Sequence, residues 1–142
     1  MTELLKEMLK VNQHAPNIDL ALLFIRLAIG MLMLRHGIPK ARIIFAREPI
    51  RFFKTFGLSE ANSFKLAAFT EIFFSICLML GLGTLIAVIP LFVTMAIASF
   101  YTLRGQPFDK KELPVLFLMF YFTILLCGGG RFSLDYVLFG FK

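Results

Sequence analysis

Two ions stand in stretches that offer almost nothing else polar. Arg26 lies in "LLFIRLAIGMLML" and Glu71 in "KLAAFTEIFFSICLML". A charge at the centre of a membrane helix costs ~2.5 to 3.5 kcal/mol even on lenient insertion scales, so each requires a partner. If their two segments run antiparallel, Arg26 lies ~12 Å and Glu71 ~16 Å from the same face, within the reach of an arginine side chain. The two are therefore expected to meet. One reading is a structural ion pair that staples two helices. A second is a polar pocket in which Glu71 takes or gives a proton while Arg26 holds an anionic or quinone headgroup. A third is an arginine that snorkels toward the lipid surface.

Other residues extend this candidate site. His36 and Lys40 in "RHGIPK" fall one helical turn apart at the inner mouth of the first segment, where Pro39 is expected to end the span. His36 is placed to exchange protons near neutral pH with a buried group, whereas Lys40 suits either a lipid headgroup or a ligand. Glu112 follows Asp109 at the spacing of a capping box. In "GGGRFSLD", Arg131 and Asp135 are spaced to pair locally, and Ser133 can cap a short last helix. Glu71 and His36 are thus the candidate catalytic groups and Arg26 and Glu71 the candidate cofactor contacts. Arg26, Lys40, Glu112, Arg131 and Asp135 form the candidate substrate-binding set. Cys77 and Cys127 sit in apolar runs without a mixed Cys/His cluster, so no metal site is expected.

The elements that must position these residues are helices in lipid. The 142 residues are 58% hydrophobic with eighteen phenylalanines, and their mean hydropathy is +0.81, which places the chain among membrane proteins. Four apolar spans are expected at about 18–35, 65–82, 84–103 and 112–128, giving one all-α domain, an integral membrane four-helix bundle. "LGLGT" leaves room only for a tight turn between the second and third spans. The stretch from His36 to Ser63 is expected as an interfacial amphipathic segment, with Phe45, Phe52, Phe53 and Phe56 facing lipid and its bases facing headgroups. The first residues, with Leu4, Leu5, Met8 and Leu9 at helical spacing, are expected to lie on the membrane surface, and they lack the unbroken apolar core of a secretory signal.

A net charge of +6 would suit nucleic acid, but the bases lie between apolar segments and read as topology signals, so no nucleic-acid partner is expected. The first and third connections hold ten bases against four on the opposite side. That bias predicts a cytoplasmic-membrane protein with both termini outside.

The stretches "RLAIGMLMLRHGIPK", "FTEIFFSICLMLGLGT" and "KKELPVLFLMFYFTILLCGGGRFSLD", in this order, resemble the DoxX family of small bacterial and archaeal membrane proteins. The resemblance runs from about Leu20 to Asp135, and its most specific piece is the ending from Gly128 to Asp135. It implies a four-helix bundle in the cytoplasmic membrane, and an accessory or membrane subunit of a quinone-linked sulfur or thiol redox system. The alternative it leaves open is a non-enzymatic scaffold or assembly factor for a partner protein. The chain supplies no haem ligand pair, iron–sulfur motif or nucleotide loop, so redox chemistry would require a bound quinone or a partner. A protein partner or a homo-oligomer is therefore expected.

Overall fold

The computed structural model describes residues 16–139, so the amphipathic start lies outside the described residues. All of the regular structure among them is helical. We number the helices α1 (Pro16–Phe45), α2 (Glu60–Leu80), α3 (Thr84–Thr102), α4 (Phe108–Cys127) and α5 (Leu134–Phe139). The first three are long and apolar enough to cross a membrane. The fourth packs with them through Phe117, Tyr121 and Ile124, but Asp109, Lys110, Lys111 and Glu112 crowd its first turns with charge.

Helix α1 departs from expectation by running through Pro39 to Phe45. A proline removes only its own N–H and frees the carbonyl four residues earlier, here that of Arg35. Near the end of a span that carbonyl can be satisfied by water or headgroups. The helix therefore reaches about 45 Å, well beyond the ~30 Å hydrocarbon layer. Its last turns rise toward the basic side of the protein.

The expected interfacial segment is consequently divided. Its first part belongs to α1 and its last part, capped by Ser59, begins α2. Between them an irregular connection turns inward: Phe52 packs edge-on against Phe64, and Phe53 lies beside Tyr101, with ring centroids 5.2 and 6.0 Å apart. Phe52 and Phe53 are half-buried, while Phe45 and Phe56 stay exposed.

Lipid solvates apolar side chains as well as a protein core does, so close backbone approach must hold the helices together. Gly30 and Gly37 provide it on α1. A Cβ at Gly30 would stand 2.3 Å from Cγ of Met79, and one at Gly37 would stand 2.8 Å from Cγ1 of Ile72. These contacts fix the register: Gly37 of α1 lies beside Glu71 of α2, Gly30 beside Ser75, and Arg26 beside Gly81. Met33, Leu78, Val88, Leu91, Tyr121 and Ile124 fill the core between the helices.

Two helices contain a wide π-helical turn, Thr70–Phe74 in α2 and Ala98–Thr102 in α3. Single π turns inside α-helices occur often at functional sites. Here both border the same cavity.

Candidate functional site

The cavity opens among α1, α2, α3, the start of α4 and the connection from residue 46 to 59, and its volume is about 520 Å³. That lies within the range of small-molecule pockets. Phe52, Phe53, Phe69, Phe74 and Phe117 give it aromatic walls, and Pro90 and Pro114 face it from α3 and α4.

Its polar end is an ion pair. Glu71 is 1% exposed and accepts a hydrogen bond at 2.5 Å from Nζ of Lys40, whose side chain retains 25% of its exposure. Lys40 also stands 5.9 Å from the Phe52 ring centroid, where the π face favours a cation. Oε2 of Glu71 is buried and accepts no hydrogen bond from the described protein. The carboxylate is thus half engaged, with one oxygen on a lysine near the surface and the other facing the interior. His36 lines the cavity one turn before Lys40, with its ring edge-on to Phe117 at 6.1 Å.

The expected meeting of Arg26 with Glu71 does not occur. Arg26 is buried beside Gly81, eleven residues along α1 from the Gly37 level where Glu71 lies, a rise of about 16 Å. Depth measured from the ends of two separate segments does not give the register between them. The glycine contacts instead slide α1 so that Arg26 faces the last turn of α2.

The partner of Arg26 comes from the opposite end of the chain: Nη2 donates to the carbonyl of Phe132 at 2.8 Å. Around it the ending from Gly128 to Asp135 forms a clasp. Asp135 accepts from the backbone amides of Gly83 and Thr84 at 2.6 and 2.7 Å, closing the N-terminal end of α3. In return its own amide donates to the carbonyl of Gly81 at 2.9 Å. Asp19 accepts from the amide of Arg131 at 2.9 Å and so ties the tail to α1. Ser133 accepts from the amide of Tyr136 at 3.2 Å, as expected for the cap of α5.

The three consecutive glycines have internal causes. Gly128 and Gly130 have φ of 75°, a conformation costly for other residues, and a Cβ on Gly129 would stand 2.7 Å from Oγ1 of Thr84. The clasp also sets the charge of Asp135, which lies outside the spans. Burial pushes its carboxyl up, but the amides of Thr84 and Gly83 and the nearby Arg26 charge outweigh this and hold it below the ordinary carboxylate range.

The sequence-selected residues therefore divide. Glu71, His36 and Lys40 converge on the cavity. Arg26 and Asp135 belong to the clasp, and Arg131 reaches out over the ring of Tyr136 at 6.0 Å instead of pairing with Asp135. Glu112 is exposed in α4, whose first turn carries no side-chain cap, so the expected capping box with Asp109 is absent. Thr70 and Thr94 also line the cavity, and of the two only Thr70 was not singled out by its sequence context. The place of Thr70 directly beside the acid Glu71 was the available signal. Thr94 spends its hydroxyl on the carbonyl of Pro90 at 2.8 Å.

Three helices able to cross a membrane, packed with a fourth around an aromatic cavity that ends in a partly buried ion pair, define a small helical membrane protein with an internal site. The DoxX family model matches residues 21–104, more than half of the 142-residue chain, and the chain belongs to the DoxX family. That match includes His36, Lys40 and Glu71 and stops before Glu112 and the glycine-rich ending. No curated protein and no solved structure matches the chain.

Proposed function

We propose that the protein is a membrane subunit of a quinone-linked sulfur or thiol redox system, and that it binds a lipophilic, polar-headed molecule of the quinone class in the cavity between its helices. The observation that carries this reading is the pairing of the buried Glu71 with the partly exposed Lys40 at the end of an otherwise aromatic cavity. The residues suit such a ligand: flat aromatic walls accept a planar ring, and Lys40 keeps ammonium protons beyond the one given to Glu71. A bound quinone would supply two-electron, two-proton chemistry, and the electrons would come from a partner protein.

Lys40 orients the headgroup and balances the charge of Glu71. Glu71 is placed to accept a proton and return it at the buried end of the site, and His36, at the exposed mouth, passes protons between that site and solvent. Phe52 and Phe53 shield the pair from water, which strengthens every polar contact inside. The bias of bases toward the two connections beside the cavity supports a cytoplasmic mouth and a fourth crossing by α4.

The test is binding of a short-chain quinone analogue to the protein in lipid nanodiscs, with mass spectrometry of quinones retained on gentle purification. Wild type should bind, and Lys40→Met and Glu71→Gln should each weaken binding by about tenfold or more, the loss of a charge-assisted hydrogen bond. Equal binding by both variants, or none by wild type, would overturn the reading.

A further inference from the structure

A second, shallower recess of about 460 Å³ lies on the outer face of α3, and it shares a wall with the cavity. Phe56, Val93 and Ile97 line both. Phe92, Ala96, Phe100 and Tyr101 complete the recess, which therefore holds no charged side chain.

Its shape follows from the sequence of α3. Phe92, Ala96 and Phe100 recur every four residues and so lie along one face of the helix, where an alanine between two phenylalanines leaves a notch. Val93 and Phe100 are exposed. Val93 also stands midway along a span of about 28 Å, so the recess meets hydrocarbon, not headgroups. Tyr101 closes the end nearer the basic connection, with its ring 6.0 Å from Phe53, itself a wall of the cavity.

Phe56 faces this helix from the connection between α1 and α2. Its φ is 53°, a conformation costly for a bulky residue. The turn that carries it is anchored, because the amide of Thr55 donates to Oγ of Ser63 at 3.0 Å and the amide of Leu58 donates to the carbonyl of Thr55 at 3.0 Å. Backbone strain is thus maintained at the residue that borders both spaces, and such strain concentrates at ligand clamps.

We propose that the seam framed by Phe56, Val93 and Ile97 is a side entrance from the bilayer, and that the recess receives the hydrocarbon chain of the ligand whose head lies at Lys40 and Glu71. The ligand is then a long-chain amphiphile drawn from the membrane. This inference rests on the function proposed above and narrows its substrate class. A chain gains little by exchanging lipid for an apolar groove. What the recess provides is an exit, since a cavity of about 520 Å³ suits a ring with short substituents and a long chain must leave it.

Two analogues with the same benzoquinone head test the entrance in nanodiscs, one without a chain and one with a long alkyl chain carrying a diazirine near its end. On irradiation, wild type should take the label within residues 92–101, and excess chainless analogue should remove it. Ala96 belongs to the recess alone. Filling the notch by Ala96→Phe should weaken the chained analogue about tenfold or more and leave the chainless one within about twofold. Ala96→Leu should act in the same direction with less disturbance of α3. The entrance is overturned, and the function left standing, if the chainless analogue binds while chained binding ignores both substitutions. Label spread evenly over the lipid-facing helices, or not displaced by the chainless head, overturns it equally. Should neither analogue bind wild type, the proposed function fails and this inference fails with it.

Discussion

The two ends of this bundle treat buried charge in opposite ways. At the clasp, Arg26 and Asp135 are tied to main chain: one donates to the Phe132 carbonyl and the other accepts from the amides of Gly83 and Thr84. At the cavity, Lys40 and Glu71 hold each other by side chain alone, at the edge of open volume. Main-chain partners are fixed by the fold and cannot be exchanged without undoing it. Side-chain partners can swing aside for a ligand. The contrast separates ions that maintain the structure from ions free to do chemistry, although residue type and hydropathy make them look alike.

The sharpest way to break this comparison is Gly81→Ala. A Cβ there would stand 2.1 Å from Nη1 of Arg26 and 2.7 Å from Cα of Ser133, at a φ of 69°. We expect a loss of about 4 kcal/mol or more, read as failure to recover folded protein from detergent. Gly57→Ala, at a similar φ of 75° but with open space around it, should cost only ~1 kcal/mol. Comparable losses at the two glycines would erase the distinction between a packed clasp and a free turn.

Next in size is Arg26→Leu, which removes the donor to Phe132 and the positive charge beside Asp135. The expected cost is about 3 kcal/mol in a steric-trapping or denaturant measurement. Asp135→Asn should cost about 1 to 2 kcal/mol, and it should also change the acid response. Because the carboxyl is held below its ordinary value, its contribution is fully present above the unfolded value of about 3.9 and is lost as pH falls through the lower folded value. A melting series below about pH 4 should therefore show acid sensitivity in wild type that Asp135→Asn lacks. The smallest stability effect is predicted for Glu71→Gln, under about 1 kcal/mol, because the amide keeps its shape and Lys40 can reach water. Its effect should appear in ligand binding instead. If Glu71→Gln unfolded the protein as Arg26→Leu does, the two ends would be equivalent after all.

Sequence carried the lipid-facing architecture well. The second and third spans were expected at 65–82 and 84–103 and run from Glu60 to Leu80 and from Thr84 to Thr102, because long apolar runs broken by "LGLGT" admit few other folds. The Ser133 cap was legible for the same local reason. The exchange of partners was not, since Arg26 bonds a carbonyl 106 residues away and Glu71 bonds Lys40 across a helix interface. Hydropathy gives depth only relative to a span's end, and α1 runs through Pro39 to Phe45, about three turns beyond the expected end at residue 35. Inward-facing Phe52 and Phe53 were invisible for a related reason: aromatic residues suit a lipid surface and a cavity wall equally.

The wide turns bear on how this site came to be aimed. A π turn holds one residue more than the α-helix on either side of it, so it offsets the two halves of a helix by about 100°. Removing a single residue from Thr70–Phe74 would leave a straight, well-formed span. Yet the half carrying the N-terminal part of α2 would be swivelled against Gly37, and the carboxylate would face lipid or a neighbouring helix in place of Lys40. The extra residue in each of these two helices serves as an angular setting for the cavity, and chain length within a span is here as consequential as the identity of any side chain on it.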